Sequence, residues 1–220
     1  MKNQFLKVAV VFFLGLSVIA CKKANNETEA KTAEEVAQIA DSAAKYNADT
    51  ENSSVTWKGS KPAGEHNGTI NISEGYLAFE DGNLSGGNFI IDMNTIVNLD
   101  LESEEYNTKL VNHLKSADFF NVAENPFSVF AITSVDEKEG KTMVKGNLTV
   151  KGIKKNIEFP ATVVVNGDVV TLTSEPFTID RTEWDIKFKS GKFFEDLKDK
   201  VIHDNIELSV VLTANKAAAL

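Results

Sequence analysis

The sequence predicts an all-β fold, an eight-stranded antiparallel β-barrel with one short helix between its third and fourth strands. Three observations predict it. Beyond about residue 51 the apolar residues recur with a period of two, as in "GTINIS" and "VFAITSV", which is the pattern of strands with one buried face. The runs are joined by turn pairs such as Asp81-Gly82, Glu139-Gly140 and Asn166-Gly167, too short for anything but antiparallel neighbours. A single stretch, Glu104 to Lys115, breaks the period, with Tyr106, Leu110, Val111 and Leu114 at helical spacing. Alternation with one apolar face leaves a sandwich or a barrel, and closure into a barrel removes the exposed edges that long strands would otherwise present.

The strands follow in order. "SSVTWKG" is the first, and "GTINISEGYLAFEDG" the second, interrupted at Glu74-Gly75 as by a bulge. "NLSGGNFIIDM" returns through the Asp81-Gly82 turn, and the helix comes next. Its end, "HLKSADFF", finishes in two adjacent rings that one helical stripe cannot hide, since neighbouring residues point about 100° apart. That segment is expected to lie across one mouth of the barrel, with Phe119 and Phe120 at its lumen or rim. "PFSVFAITSV", "KTMVKGNLTVKG", "IKKNIEFPATVVV", "DVVTLTSEPFTID" and "NIELSVVLTA" complete the eight. Alternation places Ile70, Ile72, Phe89, Ile91, Phe130, Ile132, Leu148, Val150, Phe159, Val163 and Leu208 on the inner face.

The N-terminus is organised differently. Residues 1–20 carry two lysines and an uncharged apolar run from Val8 to Ala20, shorter than the about 20 residues that cross a bilayer and consistent with a secretory signal peptide. The lone cysteine, Cys21, follows "VIA" as in a bacterial lipobox and is expected to be a lipid anchor. Residues 21–50, rich in Ala, Glu, Lys, Thr and Asn, read as an acidic tether, partly helical near Glu34 to Lys45, where Val36, Ile39, Ala40 and Ala43 share a face. The barrel domain is expected over 51–215.

Charge and motifs narrow the function. Loss of residues 1–20 removes Lys2 and Lys7 and no acid, so the formal charge moves from −9 to −11. Such a chain repels phosphate backbones and has no basic stripe to offset this, so nucleic acid is not an expected partner. Neither a G-x-S-x-G nucleophile turn nor a phosphate-cradling glycine loop occurs, and no catalytic residue is expected. His66, His113 and His203 form no metal-ligand spacing. They read as structural hydrogen-bonding groups, with His113 placed to tie the helix end to a neighbouring strand. No metal or resident cofactor is expected.

Arg181 is the single arginine among twenty-two lysines. A planar fork used once points to a specific partner, either a carboxylate that closes a barrel end or a ligand head group. Trp57 and Trp184 suit a barrel end, each being a large apolar body with one polar handle. Eleven of the fourteen phenylalanines lie beyond the leader, enough either to fill the interior or to line a lumen.

Six segments, "HNGTINISEG", "GGNFIIDMNTI", "LVNHLKSADFFNVAENPFSVF", "GNLTVKGIKKNIEFP", "IDRTEWDIKF" and "DNIELSVVLTA", resemble in order the YceI-like family of lipid- and polyisoprenoid-binding proteins. "VTWKGSKPAGEH" departs from the family's usual serine, phenylalanine and histidine spacing. The resemblance implies a lipocalin-like barrel whose lumen holds a linear lipid, a polyisoprenoid or acyl chain, in an exported bacterial protein. The inner-face residues above, with Leu114, Phe119 and Phe120, then become the expected lumen and mouth, and His113 and Arg181 the expected polar contacts. The expected partners are an apolar lipid, the membrane through Cys21, and a second copy of the chain in a homodimer. The expected location is the cell envelope, lipid-anchored and facing the periplasm. The alternative is an envelope stress or scaffold module with a side-chain-filled barrel and no lipid.

Overall fold

The structure, a computed structural model, describes residues 27–138 and 140–218. Cys21, the leader and Glu139 of the Glu139-Gly140 turn lie outside the described residues. The strands are β1 Lys31–Thr32, β2 Ala44–Ala48, β3 Ser54–Lys61, β4 Gly64–Glu80, β5 Asn83–Asn98, β6 Phe127–Lys138, β7 Lys141–Val150, β8 Ile153–Asn166, β9 Val169–Ser174, β10 Phe177–Asp180 and β11 Asn205–Lys216; helix α1 spans Glu104–Lys115 between β5 and β6.

Eight positions close into an antiparallel ring. From β3 the pairing runs through β4, β5, β6, β7, β8 and β9 to β11, which returns to β3. Two ring positions are occupied by broken strands. β9 and β10 both pair with β11 and are separated at Glu175-Pro176, where proline has no N–H for the ladder. Likewise β2 and β3 both lie between β11 and β4. Asp49 turns the chain between them, its carboxylate accepting from the backbone N–H of Glu51 and Asn52 at 3.1 and 3.3 Å.

The turn chemistry is local. Asp81 and Gly82 both have positive φ, 50° and 82°, as do Lys151 and Gly152, 49° and 73°, the conformation that matches the twist of a two-residue hairpin. The β4–β5 pairing shifts register between Ile72 and Glu74. That bulge changes the inward phase of β4 from Ile70 and Ile72 to Leu77 and Phe79, all of them buried.

Residues 27–48 differ from the expected tether. No helix forms between Glu34 and Lys45; the segment is extended and belts the outside of the barrel. Thr28 N–H donates to Thr178 O of β10 at 2.9 Å, and β1 pairs with Lys155 and Asn156 of β8. The Asn147 side chain on β7 accepts from Glu34 N–H at 3.0 Å and donates to Glu34 O at 2.7 Å, copying a strand neighbour. Ala37 N–H reaches Ile132 O of β6 at 3.0 Å, and Ala40 N–H reaches the Glu80 carboxylate of β4 at 3.2 Å. An isolated helix of a dozen residues is marginal in water, whereas the extended chain finds partners on strand after strand. Sheet pairing therefore occurs at Lys31–Thr32 and Ala44–Ala48, ahead of the boundary expected at residue 51.

Candidate functional site: a half-filled barrel

The interior is divided by a layer of aromatic rings. Phe89 of β5 stacks on Phe130 of β6 at 6.2 Å between centroids, Phe130 meets Phe159 of β8 at 5.4 Å, and Phe159 stacks on Phe177 of β10 at 4.5 Å. On the side of the β4–β5 and β8–β9 turns, Leu77, Ile132, Val144, Val170, Leu172 and Leu212 are fully buried, and the barrel is filled. On the other side lies a cavity of about 540 Å³, within the size range of small-molecule sites, ~300–1,000 Å³.

β4, β5, β6 and β10 each pass from filled to open within two residues. Ile91, Ser128, Ile179 and Ile70 line the cavity, while Phe89, Phe130, Phe177 and Ile72 lie one inward position deeper, in the core. Glycines mark the two regimes. A Cβ built on Gly146 would stand 2.2 Å from Cζ of Phe130, whereas one on Gly59, which lines the cavity, would meet nothing within 4 Å.

The mouth is assembled from three pieces. Ser103 caps α1, its hydroxyl accepting from Tyr106 N–H, and Glu104 and Glu105 occupy the first turn with His113 and Lys115 in the last, the order the helix dipole favours. Lys115 Nζ donates to Asn94 O at 2.7 Å and Asn107 Nδ2 to Asn98 O at 3.0 Å, fixing the helix across the end of β5. Beyond Lys115 the chain turns through Ser116 and a left-handed Asn121, φ 47°. This non-helical turn frees Phe119 and Phe120 from a single stripe. Both line the cavity, Phe119 buried and Phe120 half-buried.

The second piece is the β3–β4 hairpin. The third is the irregular connection from β10 to β11, residues 181–204, which Arg181 organises. Its guanidinium is 1% exposed. Nε donates to His203 O at 3.2 Å, Nη1 to Ile186 O at 2.6 Å, and Nη2 to Phe188 O and Ile202 O at 3.0 Å each. Asp204 Oδ1 lies 3.3 Å from Nη2 but outside hydrogen-bond geometry, so it acts as a compensating charge. Burial pushes the guanidinium pKa down, opposed by the charges of Asp204 and Asp180. A lysine has one nitrogen and three donors, which cannot reach four carbonyls arranged around a plane.

His113 joins helix to lip, its Nε2 2.9 Å from Asp118 Oδ2 and its ring edge-on to Phe119 and Phe188 at 5.0 and 4.8 Å. His66 pairs with Asp100 at 2.8 Å, and His203 Nδ1 lies 2.9 Å from Ser60 Oγ. The three rings thus have separate local partners. Burial pushes the Asp100 carboxyl up, but hydrogen bonds from Asn67 N–H, His66 and Asn98 outweigh it and hold the pKa below the usual range. Trp184 Nε1 donates to Leu148 O at 3.2 Å. Trp57, on the cavity wall, is 7% exposed and its indole N–H has no acceptor among the described residues.

Of the residues expected at the lumen or mouth, Ile70, Ile91, Leu114, Phe119, Phe120, Leu148, Val150 and Leu208 line the cavity, with His113 and Arg181. Ile72, Phe89, Phe130, Ile132 and Phe159 sit in the filled half, and Val163 is half-buried against it. Sequence reasoning missed Trp57, Gly59 and Lys61 as wall residues, although they continue the inward alternation of Val55 on β3. It also missed Lys189, Lys200 and Ile202, whose irregular connection carries no period to follow.

Residues 46–214 match the family model described as YceI-like domain. The chain belongs to the YceI-like family. Curated relatives include a UPF0312 protein of Pectobacterium atrosepticum, 31% identical, and Protein YceI of Salmonella arizonae, 32% identical, each over 101 residues or 46% of this chain. The matched region spans about half the length of these curated relatives, 50% in both cases. Among solved structures, the YceI-like domain is similar in fold to BcnA of Burkholderia cenocepacia, with TM-score 0.61 and 22% identity over 76% of this chain and 99% of that one. It is also similar to a polyisoprenoid binding domain from Saccharophagus degradans, with TM-score 0.57 and 13% identity over 78% and 98%. The family match begins at residue 46, so the belt of residues 27–43 lies outside it.

Proposed function

We propose that this YceI-like protein sequesters or carries a linear apolar lipid, a polyisoprenoid or acyl chain, in the open half of its barrel. The observation that carries the reading is the apolar cavity of about 540 Å³, walled by Val55, Ile70, Ile91, Met93, Leu148 and Ile179 and bordered at its mouth by Phe119, Phe120 and Phe188. Mechanism follows from burial alone. At about 25 cal/mol per Å², each ~100 Å² of chain removed from water contributes about 2.5 kcal/mol, so retention requires no reacting group. That a similarly folded protein is a polyisoprenoid binding domain supports the same ligand class.

Export and anchoring belong to the proposal. The apolar leader ending in "VIAC" supports a lipid-anchored envelope protein. Cys21→Ser is expected to move the protein from the membrane to the soluble fraction, and retention on membranes after a high-salt wash would overturn the anchor. The cargo is tested by native mass spectrometry and organic extraction of protein purified from its own host. A stoichiometric lipid is expected. An empty barrel would favour the interaction-module alternative, for which the half-exposed Phe193 and Phe194 would be the contact.

A further inference from the structure

We infer that the cavity selects lipids with an anionic head group, a carboxylate or a phosphate, held at the mouth by Lys61, Lys189 and Lys200. The inference rests on the carrier reading above and adds the polarity of the cargo.

Four cations, Lys61, Arg181, Lys189 and Lys200, line the cavity against one carboxylate, Asp199. This positive excess belongs to a chain whose formal total is −9. Arg181 is committed to four carbonyl groups, so the three lysines supply the available charge. Among the described residues Lys61, Lys189 and Lys200 have no carboxylate within ion-pair distance, unlike Lys58, Lys141, Lys145, Lys155, Lys187, Lys192 and Lys216. Other lysines outside the cavity are unpaired too, so what sets these three apart is their place on the cavity lining, where Lys189 Nζ also lies over the Phe188 ring at 5.2 Å.

Their placement matches an amphiphile. Lys61 ends β3 beyond the open Gly59, and Lys189 and Lys200 stand on the connection that Arg181 folds over the mouth. His203 N–H donates to Ser60 O at 3.0 Å, drawing that connection against the end of β3 and so bringing Lys200 toward Lys61. Deeper in the cavity the wall is mainly apolar, formed by Val55, Ile70, Ile91, Met93, Leu148 and Ile179, with the Trp57 indole and the Ser128 hydroxyl as its neutral polar groups. A lipid with its tail along that wall and its head at the rim satisfies both zones. A neutral lipid would leave the lysines without their complement.

The test compares dodecanoate, dodecyl phosphate and dodecanol on the delipidated full-length protein, with acetate and inorganic phosphate as tail-free probes. Both anionic lipids are expected to bind on the order of tenfold more tightly than the alcohol at low salt, with the ratio shrinking as salt is raised. Lys61→Gln and Lys200→Gln should each lower that ratio by about two- to fivefold, and Asp199→Asn should raise it. The ratio, read within each variant, separates head-group selection from any change in the wall. Equal binding of all three lipids would overturn the inference and leave the carrier reading standing. Binding of none of them would overturn both. Binding of acetate or phosphate as tight as that of the lipids would replace a lipid rim with a site for free anions, and would also overturn it.

Discussion

The ring of Phe130 lies directly over Gly146, so close that a Cβ at position 146 would fall 2.2 Å from Cζ. The glycine is therefore part of the aromatic layer that divides the barrel. Gly146→Ala must displace the ring toward Phe89 and Phe159, both already in contact with it. Overpacking of this kind is expected to cost roughly 1–3 kcal/mol, read as a lower midpoint in urea unfolding with an unchanged slope.

Gly59 behaves in the opposite sense. A side chain there enters open cavity, and its φ lies outside the positive range that strains other residues. Gly59→Phe is expected to abolish lipid binding while leaving the stability of the delipidated protein equal to or above wild type. The comparison requires delipidated samples, because a ligand bound only by the folded state stabilises it by mass action. Retained lipid in this variant would place the ligand elsewhere.

The contrast between these glycines shows what the sequence made legible. Strand order, the single helix, the Asp81-Gly82 turn and the bulge near Glu74 follow from local chemistry, and alternation found the inner face on both sides of the aromatic layer. What alternation does not report is depth along the barrel. Ile70 and Ile72 have the same periodicity, yet one borders the cavity and the other lies in the filled core, because that difference depends on rings from β5, β6, β8 and β10 meeting across the interior. Arg181 was legible as a singular residue, but its carbonyl acceptors come from a connection without periodicity. The belt read as a partly helical tether because its partners are the outer faces of strands remote in sequence.

Arg181→Lys tests the role of that connection. Lysine keeps a charge in a site 1% exposed but loses the plane that serves Ile186, Phe188, Ile202 and His203. Unsatisfied buried carbonyls and a poorly solvated ammonium are expected to lower stability by roughly 2–5 kcal/mol. Hydrogen exchange should rise first in residues 186–203, before the β5–β6 and β6–β7 ladders. Uniform exchange across the barrel would show that Arg181 supports the whole fold rather than the lip.

Asp180 gives the pH dependence. Burial pushes its carboxyl pKa up, but hydrogen bonds from Lys192 and Thr182, with the Lys192 charge, outweigh burial and hold it below the usual carboxylate value. The Thr182 contacts are 2.9 Å from the backbone N–H and 2.6 Å from the hydroxyl, so the carboxylate also caps the turn that begins at Arg181. A depressed folded pKa means that the unfolded chain binds the proton first as pH falls. The resulting stability is complete above the unfolded value, about 3.9 for aspartate, and is lost as pH drops through the folded value. Wild-type protein is therefore expected to lose stability below about pH 4. Asp180→Asn should be less stable at neutral pH and show a shallower decline through that window. The measurement is the thermal midpoint of both proteins from pH 7 to pH 2.5, on delipidated samples. Parallel curves would mean that other carboxylates carry the acid sensitivity, and that the Lys192 pair contributes little to holding the lip.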